Sequence, residues 1–407
     1  MLSGAMDILV IEEPEGEYRS SSFHVRFGSL KVLRSFEQDI DIYINGRIKP
    51  VKMKLASSGD GYFPFDKLDP YMKNQSKLIR DKEFNTNQIE LMDTLTGKRE
   101  SKDDKILRRQ YKSFFPSSLQ LKKLDLAPGQ NEIRFVCRTS PSGVQTLSSY
   151  IYLWHYTSKV IITDVDGTIT KSDILGQVLP FFGKDWSHPG VAALFRNLYN
   201  NGYKIVYLTA RAIGQSSMTK GYLTNLIQNS KSLPPGPLFM SPDGIFTSLR
   251  REVIERKPHL LKIPLLTELK NLFPDVLKPF YAGFGNRETD AIAYRYLDIP
   301  LNRCFIINTS SEVVQLGHTT KTTYQEIADN VDKDFPKLTT GGEKSENADI
   351  KSNMNFLNED IYIIVIYVIF GSIVINLGFF KISIITKYIF PISIINRVIV
   401  KKIIFIF

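Results

Sequence analysis

Apolar and polar residues alternate with a period of two at several places in the first part of this chain. That period predicts half-buried β-strands. Residues Asp7-Ile8-Leu9-Val10-Ile11 form the first expected strand, and the Pro14-Glu15-Gly16-Glu17 run turns the chain after it. Residues Phe23 to Gly28, Asp41 to Ile44 and Val51 to Leu55 repeat the pattern, and Asn45-Gly46 between the last two is a strong hairpin signal. Apolar residues are then sparse and without period from about 67 to 112, as in a linker or insertion. Strand patterning resumes at Asn131 to Val136 and at Ser149 to Trp154. Either half alone has too few strands for a core, so the two halves are expected to form one antiparallel sheet domain around the insertion.

The pattern changes after Lys159. Val160-Ile161-Ile162 reads as a buried parallel strand. Val191, Leu194, Phe195 and Leu198 mark one face of a helix that Asn201-Gly202 ends. Further strands are expected at 203–208, 280–284 and 304–307, and further helices at 217–228 and 260–272. This βα alternation predicts an α/β domain with a parallel sheet covered on both faces. The expected segments are 1–66 and 113–158 for the two halves of the sheet domain, 67–112 for the insertion, 159–336 for the α/β domain, 337–355 for a polar tether and 356–407 for an apolar tail.

Three readings of the tail stand side by side. Residues 361–380 carry no charge and match the length of a bilayer-spanning helix. With Lys381, Lys387, Arg397, Lys401 and Lys402 beyond it, a single span would put the terminus in the cytoplasm and the α/β domain in the lumen. A hairpin that dips into the bilayer and returns near Pro391 removes that conflict. Translation of AT-rich non-coding sequence would also yield such an Ile-, Lys-, Phe- and Asn-rich stretch.

Composition narrows the partners. The 407 residues suffice for two or three domains, and 43% hydrophobic with 23% charged residues is ordinary globular content. A net charge of +10 favours acidic partners such as phosphates or an anionic membrane surface. Nucleic acid ranks last, because zinc-finger spacing and aromatic-rich basic signatures are missing from the sequence. Cys137 and Cys304 alone imply neither a disulfide framework nor a thiolate metal site, and a reducing compartment fits. Met1 to Asp7 is too short and too little apolar for a signal peptide.

The chemistry centres on Asp164-Val165-Asp166-Gly167-Thr168. It follows the first strand of the α/β domain, and ligands of open α/β sheets bind at carboxyl ends of strands. Two carboxylates there suit a nucleophile with an acid/base beside it, although Asp and Gly also populate plain surface turns. Leu208-Thr209-Ala210-Arg211 closes the second strand, and a Thr there can donate to a phosphoryl oxygen. Lys257 and Lys262 lie near a helix start, and Gly285-Asn286-Arg287-Glu288-Thr289-Asp290 follows a later strand. An aspartate facing a phosphate dianion at ~4 Å is opposed by about 4 kcal/mol per charge pair at an effective dielectric near 20. Mg²⁺ is the natural remedy, because it prefers hard oxygen ligands and bridges to phosphate. Asp164 and Asp290 are its candidate side-chain ligands, Asp166 offers its backbone carbonyl, and Asn286 adds a further oxygen. Gly167, Thr168, Ala210, Arg211 and Arg287 are the candidate substrate-binding positions. Asp164 would attack phosphorus in line; Asp166 would protonate the leaving oxygen and later deprotonate water. The plainer reading is that Asn286 and Asp290 cap a helix and that Lys257 and Lys262 are solvated.

Taken in order, these segments resemble the haloacid dehalogenase superfamily of phosphohydrolases. Asp164 to Asp173, Ala210 to Gln215, Met218 to Leu223, Gly236-Pro237-Leu238, Arg251 to Ile254 and Phe284 to Arg287 resemble, more narrowly, the lipins, the Mg²⁺-dependent phosphatidate phosphatases. Ser3 to Asp7 and Phe23 to Gly28 are similar to the lipin amino-terminal region. The resemblance implies cleavage of phosphatidate to diacylglycerol and phosphate. It also implies a Rossmann-like catalytic domain beside an immunoglobulin-like β-sandwich assembled from the two sheet halves. By that resemblance Asp164 is the nucleophile, Asp166 the acid/base, Asp290 a metal ligand, Thr209 a phosphate-binding residue and Lys262, in preference to Lys257, the family lysine. Lipins often carry a far longer segment between the two regions, and usually begin with an amphipathic helix for which the apolar tail here is a candidate replacement. The implied location is the cytoplasmic side of the endoplasmic reticulum or nuclear membrane, with a regulatory phosphatase or membrane partner left unidentified. Residues 175–179 differ from the segment linked to transcription partners in animal lipins, so coactivator activity is not expected. Two other functions stay open: a phosphatase of another phosphomonoester, and a phosphatidate-sensing module that binds without turnover.

Overall fold

The computed structural model describes residues 3–28, 38–56, 58–65, 111–139, 143–171, 186–241, 259–274 and 276–338. Most of the expected insertion, Lys257, residues 175–179, nearly all of the tether and the whole apolar tail lie outside the described residues. Among the described residues no helix is long and apolar enough to cross a membrane.

The amino-terminal layer contains β1 (Gly4–Ala5), β2 (Ile8–Glu12), β3 (Tyr18–Ser20), β4 (Val25–Arg26), β5 (Asp39–Ile44), β6 (Arg47–Leu55), β7 (Gly61–Phe65), β8 (Tyr111–Ser113), β9 (Gly129–Thr139) and β10 (Gly143–His155), with the short helix α1 (Ser118–Lys122) after β8. Eight of the strands form one sheet in the order β3-β2-β10-β9-β5-β6-β7-β8, and β1 pairs with β4 as a two-stranded ribbon. Strands from both sides of the insertion therefore interleave. β9 pairs with β5, and β10 pairs with β2 in parallel.

The Asn45-Gly46 hairpin forms between β5 and β6, both residues having positive φ. Alternation sets the inward face: Ile40, Ile42 and Ile44 of β5, Met53 and Leu55 of β6, Ile133 and Phe135 of β9, and Ile151 and Leu153 of β10 share one core with Phe23 and Phe63. The sheet curls round that core. The ribbon reaches back to the start of β7, where Phe27 N donates to Gly59 O at 2.8 Å and Arg26 pairs with Asp60. Among the described residues this layer thus consists of the eight-stranded sheet and the two-stranded β1-β4 ribbon.

The second layer contains β11 (Val160–Asp164), α2 (Val191–Asn200), β12 (Lys204–Ala212), α3 (Ser216–Asn225), the ribbon strands β13 (Ile227–Gln228) and β14 (Lys231–Ser232), and β15 (Leu238–Ser241). It continues with α4 (His259–Lys270), β16 (Phe280–Gly285), α5 (Glu288–Tyr294), β17 (Cys304–Ile307), β18 (Val313–Gln315), β19 (Lys321–Thr322), α6 (Tyr324–Asp329) and α7 (Val331–Asp334). Seven strands make a sheet in the order β15-β12-β11-β16-β17-β18-β19. The first five are parallel and the last two antiparallel. β11 is buried at every residue, which explains its continuous apolar run. Gly190, at φ +79°, precedes α2, and Leu194, Phe195 and Leu198 of that helix are wholly buried.

The layers meet through buried and half-buried polar contacts. Asp7, 2% exposed, pairs with Lys220 of α3 at 2.6 Å, accepts from Leu238 N at 2.9 Å and accepts from Tyr150 N at 2.9 Å. Glu268 of α4 accepts from both Ser22 N (2.6 Å) and Ser22 Oγ (2.9 Å). Burial raises the Glu268 carboxyl above its ordinary range, and the two Ser22 bonds only partly oppose this. The folded state thus holds a proton that the unfolded chain has released just above the ordinary range, so Glu268 costs stability as pH rises through that window. Glu268→Gln is expected to remove that loss, visible as thermal melts of the variant that decline less than those of the unmutated chain as pH rises above the ordinary carboxyl range.

Candidate active site

Parallel strands bring their carboxyl ends to one edge. Asp164 is the last residue of β11 and faces Leu208 of β12 across the ladder, while Thr163 faces Phe284 of β16. Thr209 and Gly285 therefore lie beside Asp164 by register alone. Gly167, at φ +81°, turns the chain immediately after the two aspartates, a backbone conformation that favours glycine. Thr170 Oγ1 accepts from Gly167 N at 3.1 Å and fixes that turn.

Asp290 arrives on α5. Tyr294 anchors that helix by donating to Phe284 O at 2.7 Å, and its ring lies so close over Gly283 that a Cβ there would approach within 2.3 Å. A Cβ on Gly285 would fall 2.5 Å from Asp290 Cβ and 2.7 Å from its Oδ2. Both glycines are thus set by close approach and not by turn geometry. Asp290 Oδ2 accepts from Asn286 N and Arg287 N, each at 3.1 Å, as the first turn of α5 requires.

Lys262 arrives on α4. Leu266 and Leu269 of the same helix face are fully buried, and Lys262 precedes them by four and seven residues. That face points inward, so the lysine enters the interior from the helix's first turn. Its Nζ donates to Asp164 Oδ1 at 2.7 Å and to Asp290 Oδ1 at 2.8 Å.

Asp166 lies on the other side. Its Oδ2 accepts from Thr209 Oγ1 at 2.6 Å, and its Oδ1 accepts from Arg211 Nε at 3.0 Å and Nη2 at 2.7 Å. Arg211 Nη1 in turn donates to Thr219 Oγ1 of α3 at 3.2 Å, and Thr219 donates to Gln215 O. The two aspartates, two residues apart, are therefore held by different partners.

Electrostatics separate them further. Burial pushes the Asp164 carboxyl up to about 7; Lys262 pulls it down, and Asp290 and Asp166 push it up. Burial alone would lower the Lys262 ammonium, but Asp164 and Asp290 outweigh it and raise it. Lys262 is thus fixed as the cation, while the carboxylates around it still lack full compensation. Three acids face two cations, Lys262 and Arg211. Closely placed carboxylates with incomplete compensation in a buried site suit a hard divalent cation. Among the described residues no group of three or more His, Cys, Asp or Glu is arranged to hold a metal by side chains alone. Backbone or substrate oxygens would have to complete any such shell.

The expected site residues Asp164, Asp166, Thr209, Arg211, Lys262 and Asp290 converge in this way. Gly167 and Thr168 form the turn above them; Thr168 is fully buried, and its hydroxyl has no hydrogen-bond partner among the described residues. Ala210 and Arg287 are exposed at the rim, and Asn286 is half-buried beside Asp290. Thr209, expected to hold phosphate, bonds Asp166 in this structure.

Sequence patterning missed two residues. Thr219 sits in a helix whose apolar period is weak, so nothing marked it as an arginine partner. His188 is fully buried beneath the Gly167 turn, with Nε2 3.3 Å from Gly167 O and Nδ1 2.8 Å from Ser311 Oγ. Burial lowers its basicity, and a neutral ring facing a carbonyl must carry its proton on Nε2. His188 thereby donates to Gly167 O and braces the turn. The Ser187-His188-Pro189 segment before α2 gave no periodic signal of this.

A parallel sheet with an aspartate pair after its central strand, a lysine-bearing helix and a further aspartate after a neighbouring strand defines a haloacid-dehalogenase-like domain. The family model described as LNS2 (Lipin/Ned1/Smp2) matches residues 112–336, and the model described as the lipin N-terminal conserved region matches residues 1–82. The chain belongs to the LNS2 (Lipin/Ned1/Smp2) family. It is 46% identical over 239 residues to phosphatidate phosphatase PAH1 of Arabidopsis thaliana, covering 58% of this chain and 26% of the relative. It is 44% identical over 243 residues to phosphatidate phosphatase LPIN1 of Homo sapiens, covering 60% and 27%. It is 40% identical over 252 residues to phosphatidic acid phosphohydrolase 1 of Saccharomyces cerevisiae, covering 58% and 28%. The aligned part thus spans about a quarter of the length of these relatives.

Proposed function

We propose that this chain is a Mg²⁺-dependent phosphatidate phosphatase that forms diacylglycerol and phosphate through an aspartyl-phosphate. The observation that carries the reading is the division of labour between Asp164 and Asp166. Asp164 is buried against one ammonium, as an in-line nucleophile needs, and Asp166 is oriented two residues away by Thr209 and Arg211. The names of the similar proteins supply the substrate.

Asp164 attacks phosphorus and the ester oxygen leaves with a proton from Asp166. Asp166 then takes a proton from the water that releases phosphate. Both Asp166 oxygens accept hydrogen bonds here, which suits the base step. In the acid step one oxygen must exchange its Thr209 or Arg211 partner for the proton it delivers. Lys262 offsets charge at the nucleophile throughout. The Asp164 and Asp290 carboxylates, the Asp166 carbonyl and the Asn286 side chain are the groups that would hold Mg²⁺. When bound, the ion neutralises phosphate charge that would otherwise repel the nucleophile.

The basic net charge supports action on phosphatidate in an anionic membrane, which we place at the cytoplasmic side of the endoplasmic reticulum or nuclear membrane. We also read the curled amino-terminal layer as the family's immunoglobulin-like sandwich, because its strands enclose one core. Its segments 1–66 and 113–158 are read as one domain and 159–336 as the catalytic domain.

Phosphate release from phosphatidate vesicles, with Mg²⁺ and after chelation, tests the reading. Release that chelation abolishes and Mg²⁺ restores is expected. Vesicle binding without release would replace the enzyme with a sensor. Faster turnover of glycerol 3-phosphate than of the lipid would move the substrate to a soluble monoester.

A further inference from the structure

Asp7 belongs to the amino-terminal layer, yet its carboxylate is buried against the catalytic one. Lys220 Nζ lies 2.6 Å from its Oδ1, Ser149 Oγ and Tyr150 N donate to the same oxygen at 2.9 Å, and Leu238 N donates to Oδ2 at 2.9 Å. Lys220 also donates to Ser149 Oγ at 2.7 Å and Ala5 O at 3.2 Å. All three hydrogens of the ammonium are thus directed at the amino-terminal layer.

Thr219, the neighbour of Lys220 on α3, receives Arg211 Nη1, and Arg211 grips Asp166 with its other two nitrogens. The backbone between these points is pinned as well. A Cβ on Gly4 would lie 2.1 Å from the carbonyl oxygen of Ile213, just after Arg211 and just before α3. The amino-terminal strand therefore touches both ends of the short stretch that links Arg211 to Thr219.

We propose that Asp7 is a positioning residue for the acid/base. By holding Lys220 it fixes α3, which presents Thr219 to Arg211 and so sets the angle of Arg211 on Asp166. The inference rests on the reading of Asp166 as acid/base. On this account the amino-terminal layer is a working part of the catalytic centre, reaching it through four side chains without touching substrate.

A double-mutant cycle on the full chain tests it, with Asp7→Asn, Lys220→Met and Thr219→Val assayed on phosphatidate vesicles. Small displacements of a catalytic group can cost about 100-fold, so each single variant is expected to lower kcat about tenfold, with KM unchanged. Asp7→Asn in the Thr219→Val background should add less than about twofold, because both act through Arg211. The amplitude of the cooperative unfolding transition in denaturant counts folded chains. It should stay near that of the unmutated chain while the rate falls.

Multiplying effects in the double variant would overturn the proposal. So would a loss of amplitude that accounts for the whole loss of rate, since Asp7 would then only keep the chain folded. If Asp7→Asn fails to fold, Lys220→Met carries the same comparison. Asp166→Asn separates the two claims, because an unchanged rate in that variant would remove the acid/base reading itself, whatever Asp7 does.

Discussion

Asp164→Asn is expected to lower phosphate release from phosphatidate by at least about 10³-fold, the scale on which loss of a nucleophile acts. The amide cannot form the aspartyl-phosphate, yet it keeps the size of the carboxylate and one oxygen within reach of Lys262. The fold should survive. Removing a carboxyl that burial pushes to about 7 also relieves a buried charge, so the variant's melting temperature should match or exceed that of the unmutated chain near neutral pH. Phosphoryl-enzyme trapped by acid quench should carry its label on Asp164 and vanish in the variant. Label on another residue would reject the mechanism, and undiminished turnover would reject the nucleophile.

Lys262→Met carries the largest expected loss of stability. Its ammonium is shared by Asp164 at 2.7 Å and Asp290 at 2.8 Å, and the three side chains are 15%, 7% and 5% exposed. Removing one partner of a buried ion pair typically costs about 3–5 kcal/mol. Here the methionine fills the stem's volume and leaves two acids facing each other. Denaturant melts should show a lower midpoint at unchanged slope. Acidification toward pH 5 should recover part of the loss, because protonating Asp164, whose carboxyl burial pushes up to about 7, removes the repulsion. Activity should fall with it, since Asp164, the proposed nucleophile, would no longer face a fixed cation. A melt identical to that of the unmutated chain would mean that the lysine is solvated and that its two short contacts contribute nothing.

Periodicity made the central elements legible because burial on both faces leaves a continuous apolar run. β11, β12 and β17 lie where that signal put them, and α2 ends at Asn201-Gly202 as expected. The site was legible for a related reason. In a parallel sheet every residue just past a strand end faces one edge, so Asp164, Thr209 and Asp290 could be grouped from order alone. Pairings set by tertiary contact were not legible. Nothing in the spacing of Thr219 marks it as the support of Arg211, and His188 gives no local sign of bracing Gly167. The 2.6 Å bond from Thr209 Oγ1 to Asp166 was likewise invisible in the spacing, and it stands beside the phosphate-binding role expected of that residue. β15, only four residues long, had too little pattern to be seen.

The pairing of β7 with β8 has a consequence for how such chains grow. Phe65 and Tyr111 are direct partners across that ladder, so the segment that leaves the sheet returns to it at the adjacent position. The entropy of closing a loop between two fixed, neighbouring points rises only logarithmically, by about 0.6 kcal/mol for each doubling. Evolution can therefore lengthen the sequence between these two strands severalfold at a cost smaller than one misplaced side chain, while the sheet and the chemistry downstream stay as they are.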